Sequence, residues 1–132
     1  MTDQDWQELG RRAVACKNWR WMPGMLCIPI GGGFPVRYHG IVARNMPSAG
    51  GVQYRPDFRD PATLGCLLAL VREAYGMPHL TPKMTTSIWR IEDEGAPMKW
   101  LIPDLEWAGR FGTEAAALVD ALESAGLRSA HP

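Results

Sequence analysis

The sequence predicts an α+β domain in which an antiparallel sheet of about four strands is packed by three helices, in the order αββαββα. Three observations carry that expectation. Two segments place apolar residues at three- and four-residue steps, the helical period, and a third is apolar nearly all round between a cap and a glycine stop. Four short apolar runs come as two pairs, each joined by a turn-forming segment, as hairpins do. The helical and hairpin segments stay separate, which argues for an antiparallel sheet covered by helices. At 132 residues the chain fits one domain, spanning 1–132, and an apolar content of 46% supplies its core.

The first helix runs from Asp3 to Cys16, with Trp6, Leu9, Ala13 and Val14 on one face and Glu8, Arg11 and Arg12 turned outward. Pro23-Gly24 breaks the chain. Met25 to Ile30 and Val36 to Ala43 then form the first hairpin across Gly31-Gly32-Gly33. Asn45 to Arg59, rich in Pro, Gly, Ser and Asp, reads as a long loop. The second helix has the clearest boundaries, with Asp60 as cap, Pro61 at the first helical position and Gly76 at its end. Leu64, Cys66, Leu67, Leu68, Ala69, Leu70 and Val71 lie nearly all round it, so it is expected to be the buried centre of the fold. Thr85 to Ile91 and Met98 to Ile102 form a second hairpin across Glu92-Asp93-Glu94-Gly95. The last helix starts at Thr113 as cap, buries Ala115, Leu118, Val119 and Leu122, and ends at Gly126.

Fourteen basic residues balance fourteen acidic ones, so the chain lacks the positive charge that marks a binder of long nucleic acids. A local cluster of Arg11, Arg12, Lys17 and Arg20 suits a small anionic ligand or a protein partner better. The longest apolar run, Cys66 to Val71, falls far short of the roughly 20 residues a membrane span needs. The acidic start, Met1-Thr2-Asp3-Gln4-Asp5, is unlike a secretory signal. Cys16, Cys27 and Cys66 are odd in number and far apart, which reads as reduced thiols and not as a disulfide framework. Neither they nor His39, His79 and His131 show the paired spacing of a metal site, and no metal or cofactor is expected. Gly31-Gly32-Gly33 lacks the Lys-Ser or Lys-Thr that follows a phosphate-cradling loop and reads as a turn. No local motif pairs a nucleophile with a base, so the expected role is not enzymatic.

The most distinctive segment is Asn18-Trp19-Arg20-Trp21-Met22-Pro23-Gly24-Met25, which holds two of the six tryptophans. Trp19, Trp21 and Met25 could form a shelf on which a base or ring stacks, with Lys17 or Arg20 gripping a phosphate. The same alternation also fits rings that fill the core where the first helix meets the sheet. Arg37 and His39 share one face of the second strand, a face suited to an anion or simply to solvent. Arg55 and Arg59 precede the second helix, whose free N–H groups attract anions. Asp57 would repel an anion there and Asp60 would occupy those groups, so an internal salt-bridge cluster is the competing reading.

Arg11 to Met25 (RRAVACKNWRWMPGM), Pro56 to Gly76 (PDFRDPATLGCLLALVREAYG) and Gly112 to Ala125 (GTEAAALVDALESA) resemble a group of small phage and prophage proteins. The helix–hairpin–helix tail is similar to the phage α-β-α sandwich domain. The three stretches cover about two-fifths of the chain. This resemblance implies a phage accessory protein expressed in the host cytoplasm. Lys17 to Met25 also resembles the Trp-rich opening of small phage proteins that sequester the signalling nucleotide of the Thoeris defence system. Asn18 stands where those proteins have glycine, and the gap before Gly24-Met25 is longer.

Together with the candidate residues, the resemblance implies an anti-defence protein that binds and sequesters a host nucleotide immune signal without cleaving it. Lys17, Trp19, Arg20, Trp21, Met25, Arg37, His39 and Arg55 are the expected ligand-binding residues, enclosed at the interface of a homo-oligomer. The alternative expectation is a protein–protein inhibitor of a host defence complex, like an anti-CRISPR, with exposed Trp, Tyr and Arg residues as hot spots.

Overall fold

Helix boundaries in this chain are set by side chains that take up free backbone groups at each end. The computed structural model describes residues 2–39, 53–85, 88–93 and 113–128. Within them lie α1 (Asp3–Val14), β1 (Leu26–Pro29), β2 (Val36–Arg37), β3 (Tyr54–Pro56), α2 (Pro61–Tyr75), β4 (Leu80–Thr85), β5 (Ile88–Asp93) and α3 (Glu114–Arg128). The fold is α+β, with the described elements in the order αβββαββα.

Thr2 caps α1: its hydroxyl accepts from the Asp5 amide at 3.2 Å, while the Asp5 carboxylate accepts from the Thr2 amide at 2.8 Å. The helix stops at Val14 with Ala15 as its cap, short of the expected Cys16. It buries Leu9, Gly10 and Ala13 and crosses β3 closely. A Cβ at Gly10 would lie 2.7 Å from the Pro56 carbonyl oxygen, a distance no side chain tolerates against fixed backbone. Gly65, inside α2, has nothing within 4 Å of the equivalent point. Alanine normally stabilises a helix interior over glycine by about 1 kcal/mol. Gly65→Ala is therefore expected to raise stability by about that amount. Gly10→Ala should instead lower it by about 1–3 kcal/mol through overpacking. Urea denaturation of the two variants checks the opposite signs.

The first sheet has the order β2-β1-β3, both outer strands running antiparallel to β1. Leu26 pairs with Arg37 and Cys27 with Val36 on one side, and Ile28 pairs with Arg55 and Pro29 with Tyr54 on the other. β3 lies inside the segment expected to be loop. Three residues ending in proline are too few to show a strand period, and Pro56 is tolerated because it closes an edge strand. The expected end of the second strand, residues 40–43, lies outside the described residues, as does the rest of that loop to residue 52.

The second hairpin is shifted from its expected position. β4 and β5 pair from Leu80↔Asp93 to Thr85↔Ile88, so the expected strand from Thr85 to Ile91 straddles the connection between them. Glu92 and Asp93, expected at a turn, belong to β5. Pro82 pairs with Ile91, and among the described residues β4 and β5 form a two-stranded ribbon in which both strands are edges, where proline is tolerated. Met98 to Ile102 lies outside the described residues.

The centre of the core is α3, not α2. Ala115, Ala116, Ala117, Leu118 and Val119 are buried in succession, followed by Ala121, Leu122 and Ala125. Their small side chains let α1, α2, β4 and β5 all close on one helix. α2 buries only Thr63, Leu67, Leu70 and Val71, while Leu64, Cys66 and Leu68 are half-buried. Thr113 caps α3 as expected, its hydroxyl accepting from the Ala116 amide at 3.1 Å. The helix continues through Gly126 to Arg128, and the Lys17 Cβ sits 3.7 Å from where a Gly126 side chain would begin. Polar ties hold α2 to its neighbours: the Tyr75 hydroxyl donates to the Ala121 carbonyl at 2.9 Å, and Arg72 Nε to the Leu80 carbonyl at 2.7 Å.

At the start of α2, Asp60, Pro61 and Gly76 take the expected positions, Gly76 in the left-handed region at φ 65°. Asp60 Oδ2 accepts from the Thr63 amide at 3.0 Å and the Thr63 hydroxyl at 2.7 Å. Thr63 Oγ1, fully buried, accepts in turn from the Leu26 amide at 2.7 Å, fastening β1 to the helix end. The Arg37 guanidinium beside Asp60, with Thr63, holds the Asp60 carboxyl below its ordinary value. A depressed carboxyl stabilises fully above its ordinary 3.8 and loses that contribution as pH falls through the lowered value. Asp60→Ala is expected to cost about 1–2 kcal/mol at neutral pH, the usual range for losing a cap. The deficit should shrink towards zero in strong acid, as thermal melts across pH will register.

Candidate binding surface

The aromatic corner folds onto the core. Trp19 meets Trp21 edge to face, with centroids 5.4 Å apart and planes at 83°, and meets Phe58 at 6.2 Å and 78°. Phe58 is itself 1% exposed. Trp21 lies against Tyr38 at 6.4 Å. Both tryptophans are half-buried against the hydrophobic cluster, and the Trp19 Nε1 is enclosed without a hydrogen-bond partner. Met25, expected on the shelf, is fully buried, with its sulfur accepting from the Met22 amide. It is a core residue.

The expected cations are distributed over several places. Arg20 pairs with Glu73 on α2. Arg37 Nη1 donates to the Gly24 carbonyl at 3.0 Å and to Asp60 Oδ2 at 2.6 Å. His39 is exposed beyond β2. Arg55 is half-buried in a narrow niche with Trp6, Gln7, Ile28, Asp57 and Arg59. Arg59 binds Asp57 and Asp3, so the salt-bridge reading of this segment describes its geometry. Lys17 lines a different concavity of about 500 Å³ between the end of α1 and α3, beside Arg12, Cys16, Asp120 and Glu123. The structure thus brings Trp19 and Trp21 together, with Tyr38, Arg37 and His39 following on from β2. Arg55 lines the niche beside Trp6, and the guanidinium groups of Arg20 and Arg37 each already have a carboxylate partner.

A surface absent from the sequence expectations lies on the first hairpin. Gly31, Gly32 and Gly33 have φ of 98°, 108° and 127°, a run only glycine adopts without strain. They carry Phe34 away from the sheet, and its ring is 90% exposed. Ile30 and Val36 flank it at 48% and 40% exposure. Pro35 between Phe34 and Val36 offers no N–H. A sequence signal existed: a phenylalanine placed between Gly33 and Pro35 belongs to no element that could bury it.

The thiols are poor nucleophiles at neutral pH. Burial pushes Cys27 up to about 12 and Cys16 up to about 11, and raises Cys66 as well. Among the described residues, no group of three or more His, Cys, Asp or Glu is placed to hold a metal ion. No helix among them is long and apolar enough to cross a membrane. The chain matches no family model, no curated protein and no solved structure.

Proposed function

We propose that this protein is a non-enzymatic binding module that engages a protein partner through the β1–β2 hairpin, and that the partner is a component of a host defence complex. The observation that carries the reading is Phe34 at 90% exposure on a glycine tip, with Ile30 and Val36 also exposed on the same hairpin. An aromatic side chain held in water at a turn is the usual form of a binding hot spot. The ion pairs at Arg20 and Arg37 and the inward packing of Trp19 favour this reading over nucleotide capture. A nucleotide phosphate at either guanidinium would share it with a carboxylate, whose like charge opposes binding. The phage setting rests on the three resembling stretches alone.

Native mass spectrometry of the protein, incubated separately with host-cell extract and with a panel of cyclic and ADP-ribose-derived nucleotides, tests the proposal. A discrete complex with one extract protein, and no retained nucleotide, is the expected result. Retention of an intact nucleotide at fixed stoichiometry would overturn the protein-partner reading in favour of a sponge.

A further inference from the structure

The concavity between the end of α1 and α3 gathers several charged groups around one enclosed oxygen. Asp120 Oδ2 is shut off from solvent and accepts no hydrogen bond. Buried carboxylate oxygens ordinarily accept at least one, and an ionised oxygen without donors loses its hydration uncompensated. The Arg12 guanidinium of α1 is turned to Glu123. Its Nε donates to Glu123 Oε2 at 3.1 Å, and Nη2 pairs with Oε1 of the same carboxylate. Asp120 therefore has the like charge of Glu123 nearby and receives no donor from Arg12.

The other groups around the site leave that imbalance in place. Glu8 and Arg11 on the outer face of α1 pair with each other. Cys16 donates to the Arg12 carbonyl, and Lys17 lines the mouth of the concavity. From α2, the Tyr75 hydroxyl donates to the Ala121 carbonyl, next to Asp120 in sequence.

We propose that Asp120 is a proton-linked latch on the α1–α3 contact. Neutral, its carboxyl allows the two helices to stay closed around Oδ2. Ionised, that oxygen must be hydrated, and the two helices part for water to reach it. Burial first, and then Glu123, push the Asp120 carboxyl above its ordinary value, with Arg12 opposing them. The sign follows from linkage. A carboxyl raised in the closed state favours closure fully below its ordinary 3.8, and that advantage is lost as pH rises through the raised value.

The test is amide hydrogen exchange of the full chain across pH, corrected for intrinsic rates, together with a ¹³C titration of the Asp120 carboxyl. Protection of residues 13–17 and 120–126 is expected to fall as pH rises through the Asp120 midpoint. The fall should be about tenfold for each unit by which that midpoint exceeds its ordinary value. Asp120→Asn should hold protection constant over the same range. The proposal is overturned if Asp120→Asn keeps the wild-type pH dependence, or if the Asp120 midpoint lies at or below 3.8. Should that variant not fold, the wild type alone decides: coincident midpoints for titration and exchange support the latch, and separate midpoints refute it.

Discussion

Phe34→Asp is expected to weaken capture of the protein partner by roughly 30-fold or more, the equivalent of the ~2 kcal/mol that defines an interface hot spot. The same change should leave the melting temperature almost untouched. Phe34 is 90% exposed, so its ring gives the folded state little burial to lose. Substitutions at such sites stay within about 0.5 kcal/mol of wild type. The pairing of a large binding loss with an unchanged fold separates a surface anchor from a structural residue. Surface plasmon resonance on the captured partner, beside differential scanning calorimetry, reads both quantities. Equal losses in both would mean that the hairpin tip is held by packing and that the exposed Phe34 ring has no binding role.

Trp19→Ala should behave in the opposite way, lowering stability by about 3 kcal/mol while sparing any ligand contact made elsewhere. Deleting a large aromatic from a core costs about 3–5 kcal/mol. The lower end applies because Trp19 is half-buried and because its enclosed Nε1 has no partner, so the variant also sheds an unsatisfied donor. Its edge-to-face contacts with Trp21 and Phe58 vanish together, so the loss should be cooperative with changes at either ring. Chemical denaturation of the single variant and of the Trp19→Ala, Phe58→Leu pair checks this. A variant of wild-type stability that no longer retained a nucleotide would restore the stacking shelf.

The contrast between Phe34 and Trp19 shows where the sequence was legible. Caps are local chemistry, so Asp60, Pro61, Gly76 and Thr113 could be placed from neighbours a few residues away. The helical period is plain for α1 and α3, and α2 is marked by its cap and its glycine stop. Which helix lies deepest is not plain, because it depends on how closely other elements approach. The alanines of α3 carry little hydrophobic weight singly, yet they admit four neighbouring elements. β3 and β4 were obscured by Pro56 and Pro82, whose edge positions become visible only once their partners are known. The direction of a side chain in an irregular segment has no periodic signature. Met25 turns inward and Phe34 outward although both follow a glycine. Of the expected site, Trp19, Trp21 and Met25 are residues that the fold also uses for packing.

The most direct measurement is site-specific photo-crosslinking in host-cell extract, with a benzophenone-bearing amino acid in place of Phe34 and, as a control, of the exposed Glu8 on the far side of α1's buried face. One discrete cross-linked protein is expected from position 34 and none from position 8. No adduct from position 34, or the same set of adducts from both positions, would contradict a binding role for the hairpin.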